Sequence, residues 1–279
     1  MWRFSRAVWH ETSADQVLLL AAGVAFFAFI SIFPALLATG LVYGLATDDP
    51  DVVHQQAARF TEALPAGAEE LVIGELRRLV GASDETLSIG LVVALVIALW
   101  GASTAVSNLI GAVNSCYDHT LRRSFVRRRA LALVMTVGAI LFIAVALALI
   151  AVLPVVFAEL DLPRWALGLL QVARWSILVI GVIVALGVLY RVAPFRAGVS
   201  VRWVSLGALV AMLLWVAASA GFSFYVSRFG TNYDSTYGQL AGVIVLLFWL
   251  WFGGISALLG AEVNAELARR GTAGAPSGP

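Results

Sequence analysis

Six runs of apolar residues, each about as long as a membrane crossing, set the plan of the chain. A helix needs around 20 mostly apolar residues to traverse roughly 30 Å of hydrocarbon. The pattern predicts such helices over residues 17–45, 87–113, 130–157, 165–190, 203–226 and 240–261. Short polar stretches separate most of them, and Pro194 and Gly198 interrupt the chain between the fourth and fifth. Ser13-Ala-Asp-Gln16 has the spacing of a capping box opening the first. The expected fold is therefore all-α: one polytopic membrane bundle of six helices over residues 1–270, followed by a disordered tail over 271–279.

The connection 46–86 is too patterned for a plain linker. Val53, Ala57, Phe60 and Leu64 recur at helical spacing, as do Ala68, Val72, Leu76 and Leu79, with Pro65 between the sets. Two short amphipathic helices, forming an extracytoplasmic hairpin, are expected there.

Polar residues inside the spans are few, so their placement matters. In the second span Ser103, Thr104, Ser107, Asn108, Gly111, Asn114 and Ser115 fall within one arc at about 100° per residue. Asn108 and Asn114 carry amides that are costly to leave bare in lipid, so this arc should point into the bundle. It serves either as a seam of interhelical hydrogen bonds or as a hydrated path. Pro34 removes a backbone hydrogen bond within the first span, where a kink is expected. Ser219, Ser223 and Ser227, and Gly242, Gly253, Ser256 and Gly260, form small-residue stripes that suit close helix packing. Glu262 stands at the end of the sixth span, within reach of Arg269 or Arg270. With Asn264 it is read as a helix-end packing residue and not as a proton-transfer group.

Composition strengthens this picture. Hydrophobic residues make up 61% of the chain and charged residues 13%, against about 25% charged in a soluble domain. That balance excludes an ordinary soluble enzyme. Alternate connections differ in charge: one side carries twelve arginines and five acids, the other six arginines and twelve acids. Because basic loops stay in the cytoplasm, both termini are placed on the cytoplasmic side. Arg122, Arg123, Arg127, Arg128 and Arg129, clustered in one connection on the basic side, are expected to meet anionic lipid and not nucleic acid. Homo-oligomerisation is left open. The lone cysteine, Cys116, excludes an intrachain disulfide and offers a thiol for topology labelling.

No P-loop, Rossmann fingerprint, GxSxG elbow or HExxH occurs, and His10, His54 and His119 are scattered. No catalytic residue, metal ligand or cofactor is assigned, and the chain is read as not an enzyme.

Several motifs carry a family resemblance. Leu20-Ala-Ala-Gly-Val-Ala-Phe-Phe-Ala-Phe-Ile-Ser-Ile-Phe-Pro34 lies in the first span, and Trp100-Gly-Ala-Ser103 leads to Asn114 and Tyr117 in the second. Leu189-Tyr-Arg-Val-Ala-Pro194, Phe229-Gly, Tyr233-Asp-Ser-Thr-Tyr-Gly238 and Leu259-Gly-Ala-Glu-Val-Asn-Ala-Glu-Leu267 follow in order. The chain resembles the BrkB/YihY-like bacterial inner-membrane proteins from about Asp15 to Leu267. It departs where family members often have Tyr-Tyr in place of Phe26-Phe27 and Asn in place of Phe195. The resemblance implies six spans and a virulence or serum-resistance label in some members. An old ribonuclease name in others finds no clustered His and Asp ligands here.

The functional expectation is a transporter or flippase-like permease for an amphipathic or lipidic envelope molecule. Pro34, Ser103, Ser107, Asn108, Asn114, Tyr190, Pro194, Tyr237 and Gln239 are the candidate residues around its path. The alternative is a non-transporting scaffold, or an envelope-integrity or virulence factor acting through partners.

Overall fold

The computed structural model describes residues 16–46, 84–117, 124–153, 157, 163–194, 205–237 and 241–273. Among them the regular structure is wholly helical: α1 (Val17–Ala46), α2 (Asp84–Cys116), α3 (Phe125–Leu147), α4 (Arg164–Val192), α5 (Leu206–Tyr237) and α6 (Ala241–Ala273). All six are long and apolar enough to cross a membrane, with mean hydropathies from 1.9 to 2.9 over their spans. The expected hairpin over 46–86 falls almost entirely outside the described residues.

Helix ends differ from the apolar pattern in an instructive way. α5 continues to Tyr237 and α6 to Ala273, well past the apolar runs that end at 226 and 261. Hydropathy registers only the part of a helix at hydrocarbon depth, whereas backbone hydrogen bonding carries the helix on through polar residues. The first three residues of the expected tail are accordingly helical. At the other end α1 begins at Val17, so Gln16 lies outside the helix and not at the third helical position that a capping box with Ser13 requires. Gln16 instead turns through φ 51°, and its carbonyl accepts from the Leu19 and Leu20 amides at 2.9 and 3.0 Å. α3 passes directly into one turn of π-helix, Ala148–Val152.

The described residues divide into two compact units. The first takes α1 to Leu20, α2 from Val106, α3, α4, α5 to Val216 and α6 from Ile255. The second takes α1 from Ala21, α2 to Ala105, α5 from Ala217 and α6 to Gly254. In the second, small residues let backbones meet: a Cβ on Gly101 would lie 3.1 Å from Ser31 Cβ, and one on Gly254 3.2 Å from Ala21 Cβ. Aromatic rings also meet edge-on in that unit, with Phe222 and Phe252 at 6.0 Å between centroids.

Exposure separates helices that meet lipid from those that form the core. In α3 only Ala132 and Thr136 are buried, while Val134, Ile140, Leu141 and Ile143 stand open. Such an apolar surface suits hydrocarbon and would be untenable in water. The opposite extreme is the stretch of α6 from Ser256 to Ala265, where every residue but Leu259 is buried. This stretch overlaps the Leu259–Leu267 motif, which therefore belongs to the packed heart of the first unit.

Candidate functional site

In the first unit α6 is clasped by α4 and α5, and the clasp follows from unmet backbone groups. Ser205 precedes α5, its carbonyl accepts from the Leu209 amide at 3.2 Å, and its Oγ accepts from the Ala208 N–H at 3.2 Å. It is thus the N-cap of α5. A helix start leaves further amides without intrahelical partners. The next of these, Gly207 N–H, donates to Asn264 Oδ1 at 3.0 Å, and Asn264 Nδ2 donates to Ser205 Oγ at 2.9 Å. One side chain of α6 thereby completes the cap of α5. From α4, the Tyr190 hydroxyl donates to the Ala257 carbonyl at 2.6 Å. Glycine at 207 and 260 permits this approach, since a Cβ on either would strike the other's carbonyl oxygen.

Beside the clasp lies a charged group. Glu262 is 1% exposed. Arg269 Nη2 stands 3.9 Å from its carboxylate, while Arg269 Nε donates to Glu266 Oε2 at 3.3 Å. The expectation of an interfacial glutamate within reach of Arg269 or Arg270 thus meets an enclosed one beside Arg269. The Arg270 side chain lies outside the described residues. Tyr117 and Cys116, at the end of α2, are buried in the same unit. Burial, reinforced by Cys116 and Glu262, holds the Tyr117 phenol protonated well above its usual range.

The α2 arc divides. Ser103 is 0% and Ser107 5% exposed, Asn108 and Asn114 are half-buried, and Ser115 is exposed. The hydroxyls of Ser103 and Thr104 donate to the Trp100 carbonyl at 3.0 and 2.7 Å, and that of Ser115 to the Gly111 carbonyl at 3.3 Å. Those protons are committed to α2 itself. The apolar side is enclosed too, at Ile110, Ala112 and Val113.

The remaining candidates scatter. Pro34 is half-buried inside α1, which is a single helix to Ala46. Tyr190, expected beside the path, belongs to the clasp, and Pro194 is buried two residues beyond α4. Tyr237 ends α5, but its side chain, like Gln239 altogether, lies outside the described residues. Cys116 is 0% exposed and its thiol donates to the Ala112 carbonyl at 3.3 Å, so it is a poor topology reporter.

In the second unit a cavity of about 390 Å³ opens between α5 and α6, lined by Ala218, Gly221, Phe222, Tyr225, Phe248 and Phe252. Nearby, Trp249 Nε1–H donates to Ser219 Oγ at 3.2 Å, which gives part of the serine stripe a packing role. Among the described residues no group of three His, Cys, Asp or Glu could hold a metal.

Sequence reading did not single out Ser205 or Gly207. Their signal is a serine one residue ahead of an apolar helix, masked because the apolar run begins earlier, at Trp203.

The Tyr190→Phe variant should fold and lose stability by about 1 kcal/mol, one net hydrogen bond. Thermal unfolding of the purified variant checks this, and an unchanged midpoint would remove Tyr190 from the clasp.

The chain is similar to several bacterial proteins. A ribonuclease-like protein, YfkH, of Bacillus subtilis is 33% identical over 96% of this chain and 94% of its own length. A UPF0761 membrane protein of Tolumonas auensis is 28% identical over 95% of this chain and 85% of its own. Another, of Pseudoalteromonas atlantica, is 23% identical over 94% and 84%. No solved structure matches. The pattern of the family described as Virulence factor BrkB matches residues 8–279. With six apolar helices and a family match along almost its whole length, the chain is an integral membrane protein of the virulence factor BrkB family.

Proposed function

We propose that this protein is a transporter or flippase-like permease for an amphipathic or lipidic envelope molecule, seated in the bacterial inner membrane with both termini in the cytoplasm. The observation that carries this reading is the polar arc of α2, buried at Ser103 and Ser107 and half-buried at Asn108 and Asn114. Ser103 and Ser107 are withdrawn from lipid, and the Ser103 hydroxyl proton is spent on its own helix. That proton is thereby not available for an interhelical bond, and the hydroxyl oxygen keeps its capacity to accept. The aromatic cavity between α5 and α6 has the size and apolar lining that suit an acyl chain. No enzymatic step is proposed. At the start of α3, Phe125 and Val126 are 72% and 73% exposed just before Arg127, Arg128 and Arg129, a pairing suited to anionic headgroups at the bilayer surface.

The test uses purified protein in phospholipid vesicles carrying a headgroup-labelled fluorescent phospholipid, with transbilayer movement read by quenching of the outer leaflet. Faster movement than in protein-free vesicles is expected, and Asn114→Leu should abolish the increase. Equal rates with and without protein would favour the scaffold reading.

A further inference from the structure

Arg174 is a charge set inside a membrane span. The apolar part of α4, Trp165–Val192, has 28 residues, or about 42 Å at 1.5 Å per residue. That exceeds the roughly 30 Å of hydrocarbon by about 12 Å. With the span centred, Arg174 lies about 8 Å below the hydrocarbon surface at the Trp165 end. Ionisable side chains at such depth ordinarily face the bundle interior or pair with an opposite charge. Arg174 is only half-buried, its Nε is enclosed without a hydrogen-bond partner, and among the described residues no carboxylate pairs with it. Neither α4 nor α3, which meets it where a Cβ on Gly181 would lie 2.7 Å from Phe142 Cε2, contains an acid. The guanidinium carbon lies 5.4 Å from the centroid of the Trp175 ring. A ring face attracts the cation but leaves its N–H groups to find an acceptor.

Trp175 also lines a groove of about 480 Å³ on the open side of α4, together with Gln171, Val172, Ser176, Val179 and Ile180. Gln171 stands toward the membrane surface, and Ile180 lies about 13 Å deeper along the helix. The groove thus passes from a polar, cationic head to an apolar floor, the order of groups along a phospholipid. A second copy of the chain fits this face poorly. A two-fold contact sets the same patch against itself, which would bring Arg174 toward Arg174 with no acid from either α4.

We propose that the Arg174–Trp175 face of α4 binds one anionic phospholipid, its phosphate on the Arg174 guanidinium and an acyl chain along Val172, Val179 and Ile180. Arginine holds phosphate through two parallel N–H···O bonds. The Cα–Cβ bond of a helical residue tilts toward the helix N-terminus, here the nearer membrane surface, where phosphates lie. The bound lipid supplies the counter-charge that the neighbouring helices lack. This site stands on α4 alone and does not rest on the transport reading.

The test places the full-length protein in phosphatidylcholine nanodiscs with a trace of phosphatidylglycerol that carries a photoactivatable group in one acyl chain. Chymotryptic peptides then locate the crosslinks. The wild type should be labelled within residues 171–180. Enriching the disc in unlabelled phosphatidylglycerol should displace that label, whereas phosphatidylethanolamine, with no net charge, and glycerol phosphate, with no chains, should not. Arg174→Gln should lower labelling there about fivefold, the worth of one basic residue against an anionic headgroup, and leave labelling elsewhere unchanged. Arg174→Lys, which keeps the charge without the planar fork, should fall between. The competition uses wild-type protein, so it decides the matter even if Arg174→Gln does not fold. Label that phosphatidylethanolamine or glycerol phosphate displaces equally well, or that Arg174→Gln leaves intact, would overturn the proposal. A wild type unlabelled over 171–180 would overturn it too, as expected of a face covered by a second copy.

Discussion

Alanine at Gly207 or Gly260 is expected to cost about 3 kcal/mol through overpacking, more than at the other glycines among the described residues. A Cβ on Gly207 would meet the Gly260 carbonyl oxygen and lie 2.5 and 2.6 Å from Asn264 Cγ and Nδ2. A Cβ on Gly260 would meet the Tyr190 hydroxyl and lie 2.5 Å from the Gly207 carbonyl oxygen and 2.7 Å from Ala211 Cβ. Backbone oxygens held by helices cannot swing aside as a flexible side chain does. The substitution gains about 1 kcal/mol of helix propensity, which is too little to offset the clash. The control is Gly221→Ala, where nothing lies within 4 Å of the new methyl. It should be neutral or slightly stabilising. Thermal unfolding in detergent measures all three, and a Gly260→Ala protein as stable as Gly221→Ala would contradict the clasp.

Asn264→Ala is the second large effect, about 2 kcal/mol, because it leaves the buried Gly207 amide without its acceptor. Ser205→Ala should cost about 1 kcal/mol as the loss of an N-cap. The two side chains share a hydrogen bond of 2.9 Å, so the double variant should be less damaging than the sum of the singles. Strict additivity would mean that Asn264 and Ser205 act independently, against the shared cap described here.

How much of this was legible in sequence depends on what each feature rests on. Six spans follow from hydropathy because lipid imposes one rule on every residue at its depth. The polar arc of α2 follows from helical periodicity, but which side of that helix the neighbours cover does not: Ser103 and Ser107 are buried, Ser115 is exposed, and Ile110, Ala112 and Val113 on the apolar side are buried as well. The clasp was not legible. Which carbonyl receives the Tyr190 hydroxyl, and which amide Asn264 caps, depends on how α4, α5 and α6 cross, with partners 67 and 57 residues apart. Glu262 shows the same limit: its position at the end of an apolar run suggests an interfacial charge. Its enclosure arises because the surrounding helices extend past their apolar runs, α2 to Cys116 and α6 to Ala273.

The central claim, that the polar arc of α2 borders water or headgroups and is not a dry seam, is tested most directly by cysteine accessibility along that helix. Single cysteines replace Ser103, Ser107 and Asn114 on the arc, and Val106, Leu109 and Val113 off it. Cys116 is replaced by serine first, so that only the introduced thiols report. A small water-soluble thiol reagent applied to the protein in membranes should modify the three arc positions, at a periodicity near 3.6 residues, and spare the other three. Uniform protection of all six positions would contradict the account and leave the arc as a packing surface.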